Sequence, residues 1–261
     1  MEIFVCVKQV PDTETKIIPK SDGSFIEESQ IKWIVNPYDE FAIEQALLIK
    51  ALKPDTTTVT VIRVGQTRDS EALRNAMAMG ADEAILVEAN DNLDSLSVAQ
   101  AIKAAIEKSG KKPDLILTGK QAIDDDCLQV PQILAELLNM PSVSVAVAME
   151  FQESQITVKR EIEGGALEIY NCPLPAVISC NKGLNTPRYT SLPGILKAKK
   201  RPLTTLNLAE LGVEAPKILY SNFKLPPEKP AGKKFMALED KDITGAVQQV
   251  VQLLRTEAKV I

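Results

Sequence analysis

Short aliphatic runs at residues 3–7, 58–64, 84–87 and 115–118, with "SVSVAVAM" at 142–149, alternate with helical patterns through the first 150 residues. Runs that are apolar at consecutive positions belong to strands buried on both faces, as in a sheet covered by helices above and below. Strand and helix in alternation predict parallel βαβ units, and so a mostly parallel, doubly wound α/β sheet. "NPYDEFAIEQALLIKAL" offers Asn36 as N-cap and Pro37 as first helical residue, with Ile43, Ala46 and Leu47 on one face. A second helix over about 69–79 closes at Gly80, and a third lines up Leu96, Ala99, Ile102 and Ile106 as one apolar stripe.

The pattern then changes. "ITVKREIEGGALEIYNCPLPAVISC" predicts an antiparallel hairpin around Gly164 and Gly165, leading into a further apolar strand at 176–180. Beyond Arg201 the chain is punctuated by proline, and "KLPPEKPAGKK" at 224–234 is too polar to be core. A last helix near 240–258 carries Ile243, Val247, Val250, Val251 and Leu254 on one side. The expected division is therefore an α/β domain at 1–201 and an extended arm with a helix at 202–261. That helix must bury its stripe on its own domain or on a partner.

Composition narrows the chemistry. With 45% hydrophobic and 25% charged residues in 261, the chain is globular, and a net charge of -5 gives no basic face for nucleic acid. No apolar run approaches the roughly 18 to 20 residues that cross a bilayer, and "MEIFVCVKQV" is not a signal segment. No membrane insertion and a cytoplasmic or organelle-matrix setting are expected. The sequence has no histidine, which excludes Ser-His-Asp and Cys-His nucleophiles and His-ligated metal. Cys6, Cys127, Cys172 and Cys180 form no CxxC pair, and structural thiols in a reducing compartment are the expectation.

The chemistry-bearing stretch is "GKQAIDDDC" at 119–127, between the apolar "DLILT" and an amphipathic segment with Val130, Ile133, Leu134, Leu137 and Leu138 on one face. Pro131 is tolerated only in a first turn, so the helix is expected to begin near 127–130, with the amides of Leu128, Gln129 and Val130 free for an anion. Adjacent aspartates diverge, which disfavours a metal cage at Asp124, Asp125 and Asp126, and a catalytic carboxylate pair lacks a spaced partner. Helix capping would use one or two of the acids. A nucleotide site, with backbone amides holding phosphate, is a fourth reading; the lack of a Walker lysine motif and of a GxGxxG turn disfavours ordinary ATPase or NAD chemistry there.

"VCVKQVPDTE", "NPYDEFAIEQAL", "AMAMGADEA", "GKQAIDDDC", "REIEGGALE" and "NKGLNTPRYTSLPGILKAKK" resemble, in order and spacing, the electron transfer flavoprotein beta subunit over essentially the whole chain. The resemblance implies an adenine nucleotide alpha hydrolase-like sheet and a C-terminal arm embracing an alpha subunit. It also implies a redox FAD held by or shared with alpha, and a structural AMP in beta. The AMP pocket then maps to Cys6, to Asn36, Pro37, Tyr38 and Asp39, to Val64, and to Gly119, Lys120, Gln121, Ala122, Ile123, Asp124, Asp125, Asp126, Cys127, Leu128, Gln129 and Val130. Leu128 and Val130 replace side chains that donate to phosphate in mammalian-like members. "QV" at 129–130 resembles electron-bifurcating relatives, in which a second FAD replaces AMP and NADH is oxidised, but those carry glycine where Asp125 stands.

"PRYTSLPGILKAKKR" resembles the family's recognition loop for acyl-CoA dehydrogenases. Leu192 is the implied anchor, with Arg188, Tyr189, Pro193, Ile195, Lys197 and Lys200 around it and Lys199 and Arg201 adding charge. Val10 to Thr13 would border the alpha-bound flavin, and Arg160 and Glu161 the subunit contact. The implied role is a carrier rather than an enzyme, taking electrons from acyl-CoA dehydrogenases in fatty acid β-oxidation to a membrane quinone oxidoreductase. The alternatives are a bifurcating beta subunit and a stand-alone nucleotide-binding or nucleotide-hydrolysing module.

Overall fold

The computed structural model describes residues 1–90, 93–152, 154–214, 216–229, 231–235 and 243–261. They fall into two units, Met1–Phe223 and Lys224–Ile261. The first is built on strands β1 (Glu2–Cys6), β4 (Thr58–Gly65), β5 (Glu83–Glu88), β6 (Leu115–Gly119), β7 (Ser142–Phe151), β8 (Gln155–Glu161), β9 (Leu167–Pro173), β10 (Ala176–Cys180) and β11 (Thr204–Asn207), while β2 (Gln9–Pro11) and β3 (Trp33–Val35) pair separately. The large sheet runs β11-β5-β4-β1-β6-β10-β7-β8-β9. It is parallel from β11 to β7, and β8 and β9 are added antiparallel.

The period of two in each strand feeds two helical layers. Ile3, Val5, Val59, Val61, Leu115 and Leu117 join one core with α1 (Pro37–Leu52) and α2 (Ser70–Met79), through Ile43, Ala46, Leu47, Leu73 and Ala76. Phe4, Cys6, Ile62, Val64 and Ile116 point the other way, onto Ala99, Ile102 and Ile106 of α3 (Ser95–Lys108) and Leu134 of α4 (Val130–Leu138). From β1 the chain steps outward to β4 and β5, then returns to β6 on β1's other side. Order therefore reverses between β1 and β6, and in such sheets the crevice beyond the carboxyl ends of those strands takes the ligand.

Several expectations acquire detail. Asn36 does precede α1 with Pro37 in the first turn, yet its side chain makes no capping bond. The hairpin turns at Gly164 and Gly165, both with φ above +70°, and joins β8 to β9. The division lies at Phe223 rather than at 201/202, because β11 pairs with β5 and extends the sheet. β11 is a short, Thr-containing edge with no aliphatic run to read.

In the second unit α6 (Ile243–Leu253) continues into a wider π turn at Leu254–Ala258, and Lys233 pairs with Glu257 at 3.1 Å. Residues 240–242 of the expected helix lie outside the described residues. Ile243, Val247 and Val250 are exposed along α6. Among the described residues no helix is long and apolar enough to cross a membrane.

Candidate functional site

A cavity of about 790 Å³ opens beyond the carboxyl ends of β1, β4 and β6. That volume lies in the range of pockets that engulf an organic ligand. Of the residues expected at a nucleotide, Cys6, Asn36, Asp39, Val64, Gly119 to Asp125 and Cys127 to Val130 line it. Thr13, expected near a flavin, lines it as well, whereas Pro37, Tyr38 and Asp126 do not.

The loop between β6 and α4 forms one wall. Asp126 and Leu128 adopt left-handed backbone, φ +50° and +53°, so the chain doubles back before the helix starts at Val130. The amides of Leu128, Gln129 and Val130 donate to no acceptor among the described residues, as the helix mouth requires. The acids do not cap α4. Asp125 Oδ1 accepts from the Cys127 amide at 3.1 Å, and Gln121 Nε2 donates to Asp126.

Lys8 answers the question of the three carboxylates. Its Nζ lies 2.8 Å from Asp124 Oδ1 and 2.9 Å from Asp125 Oδ2. Burial pulls this ammonium down, but the two carboxylates together outweigh burial and hold it above its ordinary range. Lys8 was not among the expected site residues. "VCVKQV" placed it directly after the expected strand at 3–7, but its partners lie 116 and 117 positions away.

Beneath the loop sit Asn36, 1% exposed, and Asp39, 5% exposed. Asp39 Oδ2 accepts from the Lys8 amide at 2.7 Å, and Oδ1 accepts from the Gly119 amide at 3.0 Å and from Asn36 Nδ2 at 2.9 Å. Asn36 Nδ2 also donates to the Gln121 carbonyl at 2.8 Å, while Asn36 Oδ1 accepts from the Ile123 amide at 3.2 Å. Burial pushes the Asp39 carboxyl up to about 7 against these donors. Gly119 permits the contact: a Cβ there would lie 2.7 Å from Tyr38 Cβ and closer still to Asp39 Oδ1.

Ile62, Val98, Ile102 and Pro131 give the cavity an apolar side against α3 and α4. Ile17, Phe25, Ile26, Trp33, Tyr220 and Phe223 give it another, none of them expected from sequence. Arg68 lies 4.9 Å from the centre of the Trp33 ring and makes two bonds to Glu28, at 2.9 and 2.8 Å. Phe25 and Phe223 meet edge to face at 5.4 Å.

The expected recognition residues lie apart from the cavity. Ser191 caps α5 (Leu192–Lys200) through the Gly194 amide, and Tyr189 and Leu192 are 99% and 72% exposed. Pro193, Ile195, Lys197 and Lys200 are exposed on the same helix. Arg188 is tied instead to the buried Glu44 by bonds of 2.8 and 2.9 Å, and Arg201 donates to the Ala81 carbonyl at 2.7 Å. Arg160 and Glu161, at the end of β8, stand by Glu168 at 3.6 Å and Asn181 at 3.0 Å. Cys6, Cys172 and Cys180 are buried free thiols, and Cys127 is half-buried. Burial, aided by the Asp39 charge, pushes Cys6 up to about 12.

Residues 24–211 match the model of the electron transfer flavoprotein domain. The chain is 39% identical, over its whole length and the relative's, to the electron transfer flavoprotein subunit beta of Bradyrhizobium diazoefficiens. The chain belongs to the electron transfer flavoprotein beta-subunit family. The Bacillus subtilis subunit is 38% identical over the whole of both chains, and the human subunit 37% identical over 92% of this chain and 94% of its own. This chain thus carries a cavity at its sheet's reversal point, three backbone amides at the start of α4 that are unbonded among the described residues, and a separate exposed helix, α5.

Proposed function

We propose that the chain is the nucleotide-holding half of a heterodimeric electron carrier, with AMP in the β1/β6 cavity and a redox FAD shared with or held by an alpha subunit. The observation that carries the AMP assignment is the donor set at the helix mouth. The free amides of Leu128, Gln129 and Val130 fit a single phosphate, with the adenosine against Ile62, Val98 and Ile102. Asp124 and Asp125 already satisfy Lys8, so a second phosphate would meet carboxylates whose countercharge is spent. FAD, when bound, supplies the one- and two-electron chemistry; this chain's residues bind, orient and exclude water.

Electrons would arrive from acyl-CoA dehydrogenases docking on α5 and leave to a membrane quinone oxidoreductase. An exposed leucine with a lysine rim suits a transient contact of that kind. Four free thiols suit a reducing compartment such as the cytoplasm.

A second reading rests on the cavity's other apolar side. The wall of Ile17, Phe25, Trp33 and Phe223 extends past the residues a mononucleotide needs, leaving room for the ring system of a second FAD and for NADH oxidation. Copurification with the alpha subunit, followed by flavin and AMP quantification, separates the cases. One FAD and one AMP per heterodimer supports the carrier; two FAD and no AMP supports bifurcation; a nucleotide-hydrolysing monomer excludes both.

A further inference from the structure

We propose that Asn36 and Asp39 act together as a positioning latch, which holds the main chain of the phosphate-facing loop from beneath. The proposal rests on the nucleotide reading for its functional meaning but on geometry for its existence. Both side chains border the cavity, yet their polar atoms are already committed. Asp39 spends its oxygens on the Lys8 amide, the Gly119 amide and Asn36 Nδ2. Asn36 spends its amide on Asp39, on the Gln121 carbonyl and on the Ile123 amide.

These five bonds join three pieces of chain that are distant in sequence: the end of β1 with Lys8, the start of α1, and the loop from Gly119 to Ile123. Fixing Lys8's main chain fixes the origin of the ammonium that pairs Asp124 and Asp125. Fixing Gly119, Gln121 and Ile123 sets the first half of the turn that delivers the amides of Leu128 to Val130. A fully hydrogen-bonded buried polar group of this kind defines one conformation, and partial loss releases it.

The latch has an electrostatic signature. The ionised carboxylate accepts all three bonds at full strength; protonation replaces one of its acceptor positions by an O–H and weakens the bonds that the remaining positions accept. Burial places the change near pH 7. The groups that face Asp39 are Lys8 beyond β1, Cys6 on β1 and Cys180 on β10; Lys8 is held above its ordinary range and both thiols are pushed well up, so none of the three titrates in that window.

The test uses the chain purified with its alpha subunit, as wild type, Asp39→Asn and Asn36→Ala. Amide hydrogen exchange is followed at segments 7–9 and 117–123, and release of labelled AMP is timed at pH 6 and pH 8. In the wild type, release is expected to be faster at pH 6. Asp39→Asn should release AMP roughly fivefold faster at pH 8, the loss of about one hydrogen bond, and keep only the slope due to the phosphate's own titration near 6. Asn36→Ala should speed release at both pH values and retain the wild-type slope. Both variants should raise exchange in both segments. Unchanged exchange, unchanged release rates despite changed exchange, or a wild-type slope in Asp39→Asn overturns the latch. If Asp39→Asn fails to assemble, a wild type whose release shows no slope beyond that of the phosphate, or an Asn36→Ala protein with unaltered exchange, overturns it instead. If the purified heterodimer contains no AMP, the nucleotide reading fails, and exchange alone decides the latch.

Discussion

The loop after β6 and the helix α5 are both charge runs, three aspartates in one and three lysines in the other, and the fold treats them in opposite ways. Asp124 and Asp125 share one counterion within the chain, the Lys8 ammonium 116 and 117 positions away. Lys197, Lys199 and Lys200 stand exposed beside Leu192 and Leu196, with no ion pair among the described residues. A charge run that finds its counterion inside the fold shapes that part of the fold, whereas one left open is solvated and free to meet a partner. Substitutions in the first region should therefore alter stability and nucleotide retention, and substitutions in the second should alter only encounters with other proteins.

The largest effect is expected at Gly119. Its added Cβ would overlap Asp39 Oδ1, Tyr38 Cβ and the Tyr38 carbonyl carbon, two of which cannot swing aside because they belong to or adjoin the helix start. Gly119→Ala should cost about 3 kcal/mol or more, read as a large fall in the thermal or denaturant midpoint of the heterodimer. A drop of under about 0.5 kcal/mol, the scale of an inert surface change, would mean that the floor of the site is slack.

Next comes pH. Folding raises the Asp39 carboxyl from 3.8 to about 7 because burial penalises its charge. The folded chain therefore binds more protons than the unfolded one between those values. The stabilisation is fully present below the lower value and is lost as pH rises through about 7. Compared with Asp39→Asn, the wild type should lose on the order of 2 kcal/mol between pH 5 and pH 8, seen as a change in the gap between their midpoints. A constant gap would show that the donors around Asp39 cancel its burial. Global stability and latch tightness thus move in opposite directions with pH, because the charge that costs burial energy is the one that accepts the three bonds at full strength.

Lys8→Met asks whether the shared ammonium, by offsetting part of the carboxylate charge, is what makes the acidic loop hospitable to a phosphate. Without the ammonium, two carboxylates face the same opening unpaired. AMP retained after dialysis should fall by roughly tenfold, the scale of one lost charge-assisted bond, with a much smaller change in midpoint. Wild-type retention would reduce Lys8 to a structural strut.

How much of this was legible in the chain follows from range. The parallel sheet was readable because strands buried on both faces are consecutive aliphatic runs, and α1 to α4 because their stripes are local. Even Leu128 to Val130 could be placed, since Pro131 limits where a helix can start. The Lys8 pairing, the aromatic wall of Phe25, Trp33, Tyr220 and Phe223, and β11 were not readable. Each depends on segments far apart in sequence meeting across the sheet, and none carries a local periodicity. Asn36 is the intermediate case: its position before α1 was evident, but its side chain serves a loop more than eighty residues away rather than its own helix.

The smallest effect on the fold, and the cleanest separation of the two regions, is expected at Leu192. Its side chain is largely exposed, so truncation creates no cavity, and Leu192→Ala should leave the midpoint within about 0.5 kcal/mol of wild type. AMP content should not change, because α5 contributes nothing to the cavity wall. If α5 is the docking helix, the apparent KM for the heterodimer as acceptor of an acyl-CoA dehydrogenase should rise several-fold, as for loss of an apolar anchor worth about 1 kcal/mol or more. Higher salt should weaken wild type and variant in parallel, since the lysine rim acts on encounter rate rather than on the anchor. An unchanged KM would leave α5 as a merely solvated helix, and a changed AMP content would show that the two regions are coupled.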